Sequence, residues 1–415
     1  MSGQPGADPV EAVSGVARAV KAAGTATGVS RAGLIGISVG VLAAGAAAGV
    51  AIERLTVGRT MRRRARAELD ANAPYGSLRG RPRTVAAPDG TGLYVELDGL
   101  AAADEADPAE AEPDEAEPDG APEPLTVVFC HGYCLNQDSW HFQRAAFRDG
   151  VRLVFWDQRS HGRSERSRSF LAGEPAGIDQ LGGDLKAVLD AVAPTGPLVL
   201  VGHSMGGMTV MALADQHPEL FRERVAGVAL IGTLAGNWDA VTFGLPQAGA
   251  RLFRRVAPGM VKLLGRQVDL VEATRRLGTD VSAVFYRRFS FGGKDVDPGV
   301  VRFAEQMLDA TPIDVVAEFY PVFSAHEKTA ALAALRGIPV LVLTGTKDLL
   351  TPPGHGEVMA EQLPGAELVL VEDAGHLVML ERPDVVDGHL ATLFEHAARF
   401  RGAAPPPAPP AVERT

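Results

Sequence analysis

Downstream of residue 124 the chain keeps returning to short apolar runs, separated by segments that read as helix or loop. The runs are "PLTVVFCHG" (124–132), "VRLVFWD" (151–157), "PLVLVG" (197–202), "VAGVALIG" (225–232), "IPVLVLTG" (338–345) and "AELVLVED" (366–373). Short runs without polar alternation predict strands covered on both faces, as in a parallel sheet. Between them, "IDQLGGDLKAVLDAV" (178–192) sets Ile178, Leu181, Leu185, Val188 and Leu189 on one helical face. Further helices are predicted after Ser204, over 354–363 and over 383–401. Upstream, 83–99 reads as two strands around a Pro-Asp-Gly turn. The expected class is α/β, with a mostly parallel central sheet flanked by helices.

One stretch breaks this rhythm. Residues 233–330 are helical in pattern, rich in Arg, Phe and Leu, and lack a strong strand. Inserted after the fourth parallel strand, they are expected to form a helical lid over a core built from 83–232 and 331–401. Length and composition agree with one large α/β domain plus additions: 415 residues, 46% hydrophobic and 22% charged. A proline-rich tail occupies 402–415.

Net charge changes the picture little. The total is −11, but residues 101–124 carry ten acidic side chains and no basic one, so about −1 remains for the rest. That segment is Ala/Pro/acid low complexity and cannot bury enough apolar surface to offset the entropy of ordering, which predicts an unstructured surface loop. No basic patch stands out on the folded part, which argues against a nucleic-acid partner. Cys130 and Cys134 cannot build a disulfide framework and read as reduced thiols.

The N-terminal region carries a different signal. After a tail over 1–31, residues 32–52 contain no charge, and as a helix would span roughly 31 Å, enough for a hydrocarbon core. Six arginines follow within the next twenty residues, at the start of the basic linker 53–82: Arg54, Arg59, Arg62, Arg63, Arg64 and Arg66. The expectation is a single membrane anchor with the heavier basic side, and hence the body, in the cytoplasm. A cleaved signal peptide, giving a secreted protein, and a soluble Ala/Gly leader are the competing readings.

Candidate chemistry begins with "VLVGHSMGGMTVMAL" (199–213), where three glycines, a histidine and a serine interrupt an apolar stretch. Gly202-His203-Ser204-Met205-Gly206 is Gly-x-Ser-x-Gly between a strand and a helix. Such a turn leaves no room for side chains two residues either side of the serine. It lifts the hydroxyl above a helix N-terminus, where an oxyanion would be stabilised. A hydroxyl nucleophile needs a base, and the base needs a carboxylate. His376, after the last strand, is the candidate base, and Asp348, after the fifth, the candidate acid, with Asp239 as runner-up. His203 adjoins the serine but neighbours at such an elbow point apart. His131 reads as shaping a loop.

At these residues the chain resembles the α/β-hydrolase fold, in its esterase- and lipase-like serine hydrolases with a helical cap. The order Ser204, Asp348, His376 is the order of that fold. "FCHGYC" resembles the loop whose third motif residue donates an oxyanion-hole amide, which carries over to Tyr133, with Met205 as the second donor. "DQRSHGRS" (157–164) resembles the family's Asp-x-Arg-Gly-x-Gly-x-Ser loop, with Ser160 and His161 replacing the first glycine and its follower. "GTKDLLTPP" and "AGHLVMLERPD" resemble the acid and histidine loops. The resemblance covers about 83–400. It implies hydrolysis of a small-molecule carboxylic ester through an acyl-enzyme, without metal or organic cofactor. C–C bond hydrolysis, perhydrolysis and acyl transfer on the same fold remain open, as does a non-catalytic ligand-binding protein. Epoxide hydrolases and haloalkane dehalogenases of this fold are disfavoured, because they place an aspartate where this chain has Ser204.

Overall fold

The computed structural model describes residues 75–100, 123–265 and 287–403. The expected anchor at 32–52, the acidic loop up to residue 122 and the tail from 404 lie outside these residues. Among the described residues no helix is long and apolar enough to cross a membrane.

Eight strands form one sheet: β1 (Arg81–Ala86), β2 (Gly92–Gly99), β3 (Thr126–Cys130), β4 (Arg152–Trp156), β5 (Leu198–His203), β6 (Val225–Ile231), β7 (Val340–Gly345) and β8 (Glu367–Val371). Their spatial order is β1-β2-β4-β3-β5-β6-β7-β8. β1 and β2 form the hairpin around the Pro-Asp-Gly turn, and β2 joins β4 antiparallel. From β4 to β8 every pairing is parallel. Five of the six apolar runs therefore lie inside the sheet as β3 to β7, each with a neighbour on both sides. β5 lies near its middle with Leu198 to Val201 fully buried. Each such side chain contributes roughly 1.5–3 kcal/mol over an exposed one, so the serine turn is mounted on a rigid strand.

Among the described residues, the helices of ten or more residues are α1 (Ile178–Val192), α2 (Met205–Gln216), α3 (Gln247–Gly265), α4 (Pro298–Ala310), α5 (Ile313–Ala325), α6 (Pro353–Gln362) and α7 (Pro383–Arg401). Side chains alternate across the strands and build a core on each face of the sheet. Val127, Phe129, Val199 and Val201 pack with Leu390, Leu393 and Phe394 of α7. Val128, Cys130, Leu198 and Leu200 pack with Leu185 and Leu189 of α1, Val210 and Met211 of α2, and Met359 of α6. β8 departs from the expectation of strands buried on both faces. It has one neighbour only, and Leu368 and Leu370 remain 37% and 38% exposed. An apolar run cannot reveal that its strand lies at the sheet's edge.

The insertion between β6 and β7 contains α3, α4 and α5 and, among the described residues, no strand. Val315, Phe319, Val322 and Phe323 of α5 pack on Met205, Met208 and Ala212 of α2 and on Leu181 of α1. The lid thus sits against the start of the helix that follows the serine.

Candidate active site

Ser204 follows directly on β5 and caps α2, with φ 52° and ψ −119°. A side chain cannot be fitted two residues to either side. A Cβ on Gly202 would stand 2.6 Å from the Gly206 carbonyl oxygen, and one on Gly206 would collide with the Cys130 carbonyl. The strained turn is held from outside. The Ser204 N–H donates to the Ile231 carbonyl of β6 at 2.9 Å, and the Thr233 hydroxyl donates to the Ser204 carbonyl at 2.8 Å. The Ser204 hydroxyl itself makes no hydrogen bond among the described residues, a common condition of a nucleophile without substrate.

Asp348 lies three residues beyond β7 and is buried. Its Oδ1 accepts the N–H groups of Leu350 at 2.8 Å and Thr351 at 2.9 Å. Its Oδ2 accepts the Thr351 hydroxyl at 2.7 Å and lies 2.8 Å from His376 Nδ1. Donation to a carboxylate puts the imidazole proton on Nδ1 and leaves Nε2 with its lone pair. The runner-up acid is elsewhere: the Asp239 side chain is 92% exposed and lies 3.6 Å from Arg254.

His203 brings the serine and histidine loops together. Its Nε2 donates to the His376 carbonyl at 2.9 Å, and the two imidazole centroids lie 4.8 Å apart. Burial holds the His203 imidazole well below its ordinary range, and the neighbouring His376 adds to this. A neutral ring beside His376 avoids a second positive charge where an imidazolium would form. The residue next to the serine thus supports the histidine backbone.

The two expected oxyanion donors are the residue after the serine and a residue of the loop beside it. Met205 is the first residue of α2, so its N–H has no intrahelical acceptor. The loop of Tyr133 passes over the serine: a Cβ on Gly132 would stand 3.2 Å from Ser204 Cβ. Neither the Met205 nor the Tyr133 N–H donates to a protein acceptor among the described residues. Beneath them, His131 does shape the loop. Its Nδ1 lies 2.7 Å from the Gly132 carbonyl and its Nε2 accepts the Gln158 N–H at 2.9 Å. Burial pushes its imidazole down to about 3, so it stays neutral in that frame. Cys130 and Cys134 are buried and form no disulfide.

Three supporting residues escaped the sequence reading. Thr351 orients the carboxylate, and its spacing from Asp348, the "DLLT" of a side-chain-capped turn, was the available signal. Thr233 braces the serine turn. Buried Glu381 accepts the N–H groups of Gly375 at 2.7 Å and Gly293 at 2.6 Å, pinning the residue before His376. The contacts of Thr233 with Ser204 and of Glu381 with Gly293 join segments 29 and 88 residues apart and leave no local trace.

Comparisons with known proteins bear on the fold and family of the chain. The chain is 29% identical over 292 residues to the dihydrolipoyllysine-residue acetyltransferase component of the acetoin cleaving system of Cupriavidus necator, covering 69% of this chain and 67% of that protein. It is 26% identical over 264 residues to 3-oxoadipate enol-lactonase 2 of Acinetobacter baylyi, covering 64% of this chain and 86% of that enzyme. Its fold superposes on a thermophilic esterase from Thermogutta terrifontis with a TM-score of 0.56 at 23% identity, covering 76% of this chain and 98% of the esterase. The α/β hydrolase fold family pattern matches residues 126–383, more than half of the sequence, and the chain belongs to that family.

Proposed function

We propose that this hydrolase is a serine hydrolase cleaving carboxylic esters through an acyl-enzyme, with Ser204 as nucleophile, His376 as base and Asp348 as its orienting acid. The observation that carries the reading is the buried His376–Asp348 pair at 2.8 Å on the loop that His203 ties to the serine turn. His376 Nε2 takes the Ser204 proton as the oxygen attacks the carbonyl carbon. The N–H groups of Tyr133 and Met205 stabilise the oxyanion. His376 then protonates the departing alkoxide, and a water deprotonated by His376 releases the acid and restores Ser204. The enol-lactonase relative opens an ester within a ring, which supports ester over C–C cleavage.

The test is hydrolysis of p-nitrophenyl esters from acetate to palmitate by the wild type and Ser204→Ala. Turnover should fall at least about 10⁴-fold in the variant, with loss of fluorophosphonate labelling. Equal turnover by both proteins would refute the serine mechanism. Labelling without turnover of any ester would move the assignment to C–C substrates. We further propose that 32–52 anchors the chain with its catalytic domain in the cytosol. Full-length protein should stay with alkali-washed membranes, and its recovery in the medium would support the secreted alternative instead.

A further inference from the structure

The loop that carries Tyr133 is tied to the lid at two points. The Tyr133 hydroxyl donates to the Val316 carbonyl of α5 at 2.5 Å. The Cys134 carbonyl accepts the hydroxyl of Thr311, just before α5, at 3.1 Å. The Tyr133 ring also meets Phe323 of α5 edge-on, with centroids 5.0 Å apart.

α5 is in turn fastened to the core loop that follows β4. The Ser160 hydroxyl donates to Glu318 Oε1 at 3.0 Å, Arg166 pairs with Asp314 at 2.9 Å and with Glu318 at 3.2 Å, and the His161 ring meets Phe319 at 5.0 Å. Ser160 stands where the Asp-x-Arg-Gly-x-Gly-x-Ser pattern has its first glycine, and His161 fills the variable position after it. A glycine at 160 would have no hydroxyl to offer Glu318. The departure from the motif is therefore the contact with the lid.

We propose that Tyr133 is a positioning residue that couples the oxyanion loop to the lid. Val316 holds the phenol, and the Ser160–Glu318–Arg166 contact holds α5 where it can do so. The inference rests on the Tyr133 amide being an oxyanion donor, as read above. Only two side-chain torsions separate the phenol ring from the backbone, so a ring fixed at its far end restrains the direction of the amide. That direction matters because a donor must stand about 2.7–3.1 Å from the developing oxyanion. A misplacement of about 1 Å can cost on the order of 10²-fold in rate.

The experiment uses the full chain and the p-nitrophenyl ester it turns over best. Tyr133→Phe removes one oxygen and leaves the amide. We expect kcat to fall about tenfold with KM within about twofold, since the loss is felt in the transition state. Affinity for an alkylboronic acid, which forms a tetrahedral adduct on Ser204, should fall by a similar factor. Glu318→Gln keeps the shape of the latch and removes its charge, and should shift kcat and boronate affinity in the same direction by about threefold. The double variant should be less than additive, because both changes act on one element. Should Tyr133→Phe lose its cooperative melting transition, the Glu318→Gln boronate affinity decides alone. Wild-type kcat and boronate affinity in Tyr133→Phe, or strict additivity in the double variant, would overturn the coupling. Neither result would touch the hydrolase reading, which stands or falls with Ser204→Ala.

Discussion

Among the described residues two buried serines have positive φ, Ser204 at 52° and Ser160 at 64°, and they use that conformation in opposite ways. At Ser204 the surroundings hold the backbone, through Ile231 and Thr233, and leave the hydroxyl without a protein partner among the described residues. At Ser160 the hydroxyl is fully engaged, accepting the Ser167 N–H at 3.0 Å and donating to Glu318 at 3.0 Å. Strain of this kind persists only where neighbours over-determine the backbone, so it marks a constrained position in both cases. What separates a nucleophile from a structural latch is where the hydroxyl goes. One is left open, as the proposed nucleophile requires, and the other joins the core to the lid.

The contrast can be broken most severely at Ser204 itself. Ser204→Gly should abolish ester turnover, a loss of at least about 10⁴-fold, yet raise stability by about 1 kcal/mol, because glycine accepts the positive φ without strain. The corresponding change in the latch, Ser160→Gly, should lower kcat only about threefold, with stability within about 1 kcal/mol of wild type as relief of strain offsets the lost hydroxyl contacts. Melting curves and turnover of the two variants side by side are the measurement. If Ser160→Gly were as inactive as Ser204→Gly, the proposed division between nucleophile and latch would fail.

Asp348→Asn comes next. It keeps the hydrogen-bonding shape around Thr351 but no longer enforces the Nδ1–H form of His376, and kcat should fall by up to about 10⁴-fold with KM little changed. The gentlest prediction concerns stability far from the serine. Burial pushes the Asp387 carboxyl up to about 7, against the hydrogen bond from Gln143 that favours its ionised form. A carboxyl raised in the folded state stabilises the protein fully below its unfolded value near 3.8, and this contribution is lost as pH rises through about 7. Asp387→Asn should therefore gain stability relative to wild type between pH 4 and pH 8, on the order of 2 kcal/mol by denaturant unfolding. A difference independent of pH would show that Asp387 does not carry this burden.

The legible part of the protein consists of local patterns. The apolar runs at 198–203 and 225–231 became adjacent parallel strands, and the helix over 178–192 has the predicted boundaries. Gly202 and Gly206 mark the serine turn because their missing side chains are a local steric requirement. Asp348 and His376 were singled out because each follows a strand at its carboxyl end, where parallel sheets place their sites. The exposed edge at β8, the pairing of β2 with β4 and the brace from Glu381 to Gly293 were not legible. Each depends on which distant segment arrives beside a strand or loop, and periodicity carries no such information.

The sequence by itself determined an α/β chain with a serine, an aspartate and a histidine at three strand ends and a helical insertion between the fourth and fifth parallel strands. These follow from apolar period, glycine placement and the order of loops, all of which act over a few residues. Only the tertiary structure decided that His203 supports the backbone of His376 and that Ser160 and Tyr133 both lead to α5. It also brought Asp348 within 2.8 Å of the imidazole it orients. Hydrogen bonds across many tens of residues in sequence are set by the packing of whole elements, so they exist only once the sheet and its lid have closed around them.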